Sequence, residues 1–203
     1  MYALVENNEI TKLINYPKSL VIGDVRYPAK IFQLWSQAEL NAIGIYEVIT
    51  DSTNYKDPAY YNNTNEQYTF ANGQVTKSWG TATAKRLNDE NAVDEDGNNI
   101  LEDGVQVINY GLKTEKKRIV KEQASGLLAP TDWYVVKATE VADYTVPADI
   151  TTYRAAVRTK SNQMETAIDN AADVDALKAL YEYTDDGNGN ITRPLGEWPE
   201  EVI

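Results

Sequence analysis

The chain has 203 residues, of which 42% are hydrophobic and 25% are charged, as expected for a globular chain of one ordinary domain or two small ones. Its formal net charge of −12 disfavours nucleic acid and anionic membranes as partners, because phosphate binding requires a basic patch. It has no cysteine and no histidine, which excludes disulfides, thiol nucleophiles, histidine-dependent triads and zinc sites of the usual Cys/His kind.

No stretch of the sequence is predicted to cross a membrane or to direct secretion. Every apolar run is shorter than the roughly 20 residues that span a bilayer. The first residues, Met1–Glu6, lack the basic region and the apolar stretch of a signal peptide. We therefore expect no membrane partner, and we expect the protein to stay in the compartment where it is made.

Patterning along the chain predicts an α+β fold in four parts. Residues 1–50 form a small module of a β-hairpin and a short helix, and residues 51–112 form a β-hairpin-rich region with an acidic loop. Residues 113–183 form an antiparallel helical part, and residues 184–203 form an extended tail. The sequence leaves open whether residues 1–112 are one domain or two.

The first part begins with two alternating runs that meet at Asn7-Asn8, which predicts a hairpin turn. Ser36, followed three residues later by Glu39, is a capping-box pattern and predicts a helix start. Gly44 is placed to end this helix, and Ile45–Thr50 is predicted as a strand.

The second part is rich in Tyr and Asn, and its strongest local signal is Asn72-Gly73. This pair adopts the positive φ angles of a hairpin turn readily, so it predicts a β-hairpin. The acidic stretch Asn88–Gly104 is predicted as an exposed loop, and Val105–Tyr110 as a strand.

The third part carries the helical signals. Thr114 is predicted to cap a helix that runs to about Gly126, and Trp133–Lys137 is predicted as a short strand. The longest helix is expected from about Ile150 to Asn170, because apolar residues recur along one face. Asp173 is predicted to cap a further short helix.

Two acidic turns invite comparison with calcium loops, but their spacing does not fit. Counted from Asp94, the twelfth position is Val105, where an EF-hand needs a glutamate. The stretch Asp185–Asn190 has no downstream carboxylate at the right place, and turn chemistry explains both segments. No phosphate-binding glycine loop is present either. The sequence therefore predicts a non-enzymatic protein without a metal or a cofactor.

Tyrosine is abundant, with 14 residues, and it can serve recognition or line half-buried strands. Tyr60 and Tyr61 lie among turn residues, and we predict that they contact a partner together with Trp79. The other tyrosines are interpreted as strand packing.

The most informative segment joins a leucine pair, a Thr-Asp-Trp triplet and a later helix start. Its residues are Leu127, Leu128, Thr131, Asp132, Trp133, Tyr153, Arg154, Val157 and Arg158. This pattern resembles the C-terminal motif of tail-fibre assembly proteins from tailed bacteriophages, in which a Tyr-Arg-x-x-Leu-Arg helix start follows the triplet after a spacer. Val157 stands here where the family usually has leucine, and the spacer Tyr134–Thr152 differs from the family's.

The resemblance implies a chaperone that binds the fibre polypeptide, needs no cofactor and acts in the host cytoplasm during assembly. One alternative is a structural component of the virion tail, baseplate or fibre that remains in the mature particle. Another is a receptor- or glycan-binding tip. The partner is accordingly a phage tail-fibre or other tail protein, and formation of a homo-oligomer is left open.

The same motif has a physical interpretation that needs no partner. Leu127 and Leu128 can end one helix against another, and Trp133 is large enough to bridge the two. Asp132 can pair with Arg154 or Arg158. On this interpretation the motif is a helix-turn-helix staple, and the surface that meets the partner lies elsewhere.

Overall fold

The computed structural model describes residues 1–201, which divide into two units. The first unit spans Met1–Thr83, and the second begins at Ala84, within the predicted part 51–112. Helices and strands are both present, which confirms the α+β prediction. The last two residues of the predicted tail 184–203 lie outside the described residues.

The first unit is built mainly from short strands. Its elements in chain order are β1 (Tyr2–Glu6), β2 (Glu9–Ile14), β3 (Leu20–Ile22), β4 (Val25–Tyr27), α1 (Ile31–Leu34), α2 (Gln37–Ala42), β5 (Ile45–Thr50), β6 (Tyr61–Asn62), β7 (Gln67–Ala71) and β8 (Gln74–Ser78). Five of the strands form one sheet in the order β2-β1-β5-β8-β7, in which only β5 and β8 pair in parallel. The edge strands β2 and β7 approach each other, so the sheet curls.

Both predicted hairpin turns of this unit are confirmed. Asn7 and Asn8 have φ angles of 53° and 65° and connect β1 to β2. Asn72 and Gly73, with φ angles of 52° and 74°, connect β7 to β8. These left-handed conformations favour Asn and Gly, which is why the local sequence alone specifies the turns.

The capping box is also confirmed. The Ser36 hydroxyl accepts the Glu39 amide at 3.3 Å, and the Ser36 amide donates to the Glu39 carboxylate at 2.7 Å. Gly44 follows the helix with a φ angle of +82°, and a Cβ there would lie 2.6 Å from the Val5 carbonyl oxygen. Gly44 therefore ends the helix and also lets β1 approach closely.

The sheet buries side chains on both faces of β1, because successive residues of a strand point in opposite directions. Leu4 packs on one face with Leu40 of α2, while Ala3 and Val5 pack on the other with Val75 of β8. The first cluster also contains Ile14, Leu20, Ile31, Phe32 and Ile45.

The second unit begins with short strands and continues as helices. Strand β9 (Thr83–Ala84) lies at the boundary of the units, and β10 (Glu90–Asn91), β11 (Leu101–Glu102), β12 (Val105–Gln106) and β13 (Ile108–Asn109) follow. The helices are α3 (Leu112–Leu128), a 3-10 turn (Ala129–Thr131), α4 (Asp132–Glu140), α5 (Ala148–Asn170) and α6 (Val174–Ala179), and β14 (Thr184–Asp185) and β15 (Ile191–Thr192) complete the unit.

Three boundary predictions in this unit are wrong. The predicted loop 88–104 contains β10 and β11, and the predicted strand 105–110 is divided into β12 and β13. Helix α3 begins at Leu112 with Gly111 as its N-cap and ends at Leu128, whereas Thr114 lies inside it. The Thr114 hydroxyl donates to Asp89 at 2.9 Å instead of capping the helix.

The predicted strand Trp133–Lys137 is also wrong, because these residues belong to α4. Adjacent Val135 and Val136 favour a strand locally, since β-branched side chains suit a pleated surface. Pro130 lies in the first turn of the preceding 3-10 helix, where the missing N–H costs nothing, and Asp132 occupies the first turn of α4. The chain therefore stays helical from α3 into α4.

The longest predicted helix is confirmed as α5. Its buried residues repeat along one face, and they are Ile150, Tyr153, Arg154, Val157, Ser161, Met164 and Ile168. This face packs against α3, whose Val120 and Ala124 are buried. The Asp173 cap is confirmed as well, since its carboxylate accepts the Ala176 amide at 2.7 Å.

Candidate functional site

The motif residues meet around the side chain of Arg154. This side chain projects from α5 and the residue is only 7% exposed. Its Nη1 donates to the Leu128 carbonyl oxygen at 2.9 Å and to the Thr131 hydroxyl at 2.6 Å. Its Nη2 donates to the Asp132 carboxylate at 2.7 Å. We call Leu128, Thr131, Asp132 and Arg154 the arginine clamp.

The clamp provides hydrogen-bond donors for the Leu128 carbonyl oxygen at the C-terminal end of α3. The last carbonyls of α3 have no partner within the helix, and a cation there also complements the helix dipole. Thr131 is fully buried and donates its hydroxyl to the Leu128 carbonyl at 2.8 Å. The planar guanidinium reaches three acceptors at once, which a lysine ammonium on a flexible stem does less well. The clamp therefore fixes the end of α3 and the start of α4 to α5.

An apolar cluster lies beside the clamp. Tyr153 and Val157 of α5 are buried with Ala124 of α3, and the partly buried Leu127, Leu128 and Trp198 pack against them. The Tyr153 hydroxyl donates to the Leu127 carbonyl at 3.3 Å. Its pKa is raised, first by loss of hydration on burial and then by the negative charge of Glu201. The hydroxyl therefore stays protonated and serves as a donor.

The predicted pairing of Asp132 with an arginine is confirmed, whereas the prediction that Trp133 bridges two helices is wrong. Asp132 pairs with Arg154, while Arg158 is exposed and, among the described residues, donates only to the Arg154 carbonyl oxygen, at 3.5 Å. Trp133 does not bridge two helices. It is 51% exposed, and its ring lies 3.8 Å from the ring of Tyr134.

Helix α4 carries its large apolar and aromatic residues in one run, 133–136, and these residues are not buried. Trp133, Val135 and Val136 are 51%, 41% and 51% exposed, and no residue of the helix is buried. The element it contacts most is the preceding 3-10 turn. Trp133 and Val136 lie on one side of the helix, and Val135 points to another side, as helical geometry requires. Sequence reasoning missed this surface because it assigned the segment to a strand.

The predicted contacts in the first unit have different outcomes. Tyr60 and Tyr61 are each only 5% exposed, so the expectation that they meet a partner at the surface is wrong. Trp79 is half-buried, and its ring lies 4.7 Å from that of Tyr55, which is 44% exposed. The Lys77 ammonium lies 4.8 Å from the same indole ring. No pattern in the sequence singled out Tyr55.

In each acidic turn an aspartate carboxylate accepts hydrogen bonds from backbone amides of the same turn. The Asp94 Oδ1 atom accepts the amides of Asn98 at 2.8 Å and Asp96 at 3.0 Å. Its pKa is lowered mainly by the backbone hydrogen bond from Asn98. Asp186 accepts from Asn188 and Asn190 in the same way. Among residues 1–201, no group of three or more acidic side chains is arranged to hold a metal ion.

The exposed side of α3 lines an open groove of about 690 Å³. Its basic residues are engaged in ion pairs. Lys117 pairs with Asp169 at 2.7 Å, and Arg118 pairs with Glu122 at 2.6 Å. Lys121 lies 3.4 Å from Glu165. Because carboxylates neutralise these cations, the groove offers little attraction to an anion.

No family model matches the chain, and neither the curated proteins nor the solved structures include a match. Across the described part of the chain, no helix combines the length and the apolar composition that a membrane span requires.

A signal for the buried arginine was present in the sequence. Arg154 lies four residues after Ile150 and three before Val157, so it belongs to the apolar face of α5 by helical periodicity. A charged residue on a buried face needs a partner, and here the partners are the end of α3 and the start of α4.

Proposed function

We propose that this chain is a tail-fibre assembly protein of a tailed bacteriophage, a non-enzymatic protein that holds the fibre polypeptide while it folds and forms trimers. The arginine clamp carries the proposal. Arg154 bonds to residues that lie 22 to 26 positions earlier in the chain. These hydrogen bonds join the two parts of the motif, 127–133 and 153–158, in one structural unit. This supports the interpretation that the two parts belong to a single motif.

The non-enzymatic part of the proposal rests on residue types. Without histidine or cysteine the commonest general bases and thiol nucleophiles are missing. The acidic turns, whose carboxylates are held by local backbone amides, support structural roles for those residues. Binding to another polypeptide needs none of this chemistry.

A second candidate, a virion component of the tail, baseplate or fibre, is favoured by one observation. Helix α4 exposes Trp133, Val135 and Val136 together. Clustered exposed apolar side chains mark a contact site, and a permanent partner would keep these three covered. The receptor- or glycan-binding alternative loses two of its three residues, because Tyr60 and Tyr61 are buried.

Co-expression tests the assembly function. The fibre polypeptide encoded beside this chain is produced with it and without it, and the yield of soluble trimer is measured. We expect a clear rise in trimer yield with the chain present. Equal yields would contradict the proposal.

Mass spectrometry of purified particles then separates the two candidates. A transient chaperone is absent from mature virions, whereas a structural component is present at a fixed ratio to the other tail proteins. Stoichiometric presence would replace the chaperone with the structural component.

A further inference from the structure

Helix α4 combines three properties that are seldom found together in a helix exposed to solvent. It carries apolar side chains on more than one side, none of its residues is buried, and its first residue, Asp132, belongs to the arginine clamp. Large apolar side chains that cluster on an exposed surface mark a site of contact with other protein. The clamp holds the start of the helix in place through Asp132, so the helix is presented in a defined orientation.

The shape of the helix indicates a groove in the partner. Nine residues give a helix of roughly 13 Å. A flat contact on one side of such a short helix would bury much less than the roughly 800 Å² per partner of a standard interface. Exposed apolar groups on different sides, Trp133 and Val136 against Val135, are instead contacted together when the helix lies in a groove.

The charges around the helix indicate which partner fits. Glu140 ends α4 and Asp143 follows it by three residues, with Lys137 as the basic residue before them, while Asp132 at the start of the helix is already paired with Arg154. A second copy would bring the same acidic rim and a net charge of −12. Like charges facing each other across an interface oppose association, whereas a basic rim would complement this one.

We propose that α4 is the docking helix of this chain and inserts into an apolar groove of the fibre polypeptide whose rim carries lysine and arginine. Trp133 and Val136, one helical turn apart, are the anchors. This inference rests on the proposed function, because it takes the fibre polypeptide as the partner.

Binding of the full-length chain to the purified fibre polypeptide tests the anchors. In the test variant Trp133→Gln is combined with Val136→Gln, since glutamine keeps helix propensity but removes the apolar surface. The matched control combines Val105→Gln with Ile191→Gln, two residues of the same unit that are each 69% exposed outside α4. We expect the test variant to weaken binding at least about 100-fold, as for a hot spot of a few kcal/mol. We expect the control to bind as the wild type, and both variants to keep the wild-type melting temperature.

A charge variant tests the rim. Glu140→Lys is expected to slow association several-fold, with the difference shrinking as salt is added. Glu95→Lys, in the acidic turn at 94–98 rather than in α4, makes the same change in net charge and is expected to have a smaller effect. Equal effects of the two variants would overturn the basic-rim part of the inference.

Other outcomes are informative about the occupant. If the test variant binds the fibre polypeptide as tightly as the wild type, α4 is not the docking helix, while the co-expression result and the proposed function stand. If the wild type is a dimer by light scattering and the variant is a monomer, the occupant is a second copy and the inference is overturned. Anchor-dependent binding to uncharged phosphatidylcholine vesicles would likewise overturn it. Failure of the wild type to bind the fibre polypeptide would remove both the inference and the proposed function.

Discussion

Replacing Arg154 with alanine is expected to destabilise the second unit by about 2–4 kcal/mol. Each hydrogen bond from the cation to the Leu128 and Thr131 oxygens contributes about 1.5–3 kcal/mol. The contact with Asp132, whose side chain is 60% exposed, adds only about 0–1 kcal/mol. Part of this loss is recovered, because the variant no longer pays several kcal/mol for burying a guanidinium.

Arg158→Ala is the matched control, because it removes an arginine one turn further along α5. Arg158 is exposed, and within residues 1–201 its side chain makes one long hydrogen bond of 3.5 Å, so its loss is expected to change stability by less than about 0.5 kcal/mol. Arg154→Lys keeps the charge but loses the planar fork, and it is expected to lie between the two.

Urea unfolding followed by far-ultraviolet circular dichroism measures these differences. The helical signal reports the second unit, since its longest helices, α3 and α5, have 17 and 23 residues whereas α1 and α2 have 4 and 6. Following this signal matters because two units can unfold in separate transitions. If Arg154→Ala and Arg158→Ala differ by less than about 0.5 kcal/mol, the clamp does not hold the helices together and the reasoning fails.

Three further predictions concern the first unit. Gly73→Ala is expected to lower the free energy of unfolding in urea by about 1–2 kcal/mol, because an alanine is strained at its φ angle of +74°. No further loss is expected, since a Cβ there meets no atom within 4 Å. Gly44→Ala is expected to cost about 2–5 kcal/mol, because its Cβ would also lie 2.6 Å from the Val5 carbonyl oxygen. Equal losses of stability in the Gly44 and Gly73 variants would refute this close approach. Hydrogen bonds from the Ser36 hydroxyl and then its amide lower the pKa of Glu39, so the stability it adds is present above the ordinary glutamate pKa. That stability is lost as the pH falls through the lower folded-state pKa. An NMR titration that finds an ordinary pKa for the Glu39 carboxyl would contradict the capping box.

The arginine clamp and the docking helix have separate roles in this account. The clamp holds two helix ends to α5 and is filled by the chain's own groups. The exposed residues of α4 follow immediately and remain available. The motif residues of the clamp are thus structural, and the proposed contact surface lies in the residues that follow them.

Local features of the fold could be predicted from the sequence because they depend on neighbouring residues. The Asn72-Gly73 turn follows from the backbone freedom of these two residue types. The Ser36 capping box and the buried face of α5 follow from spacings of three and of three to four residues. The absence of histidine and cysteine likewise limits the chemistry without any structure.

Tertiary structure alone decided which residues are exposed and which partners meet. The local preference of Val135 and Val136 for a strand is overridden, because the chain continues from the Ala129–Thr131 turn directly into α4. Tyr60 and Tyr61 lie among turn residues and are nevertheless buried by packing that no local pattern records. Arg154 finds its acceptors more than 20 residues away, and only the packing of α5 against α3 brings those groups together.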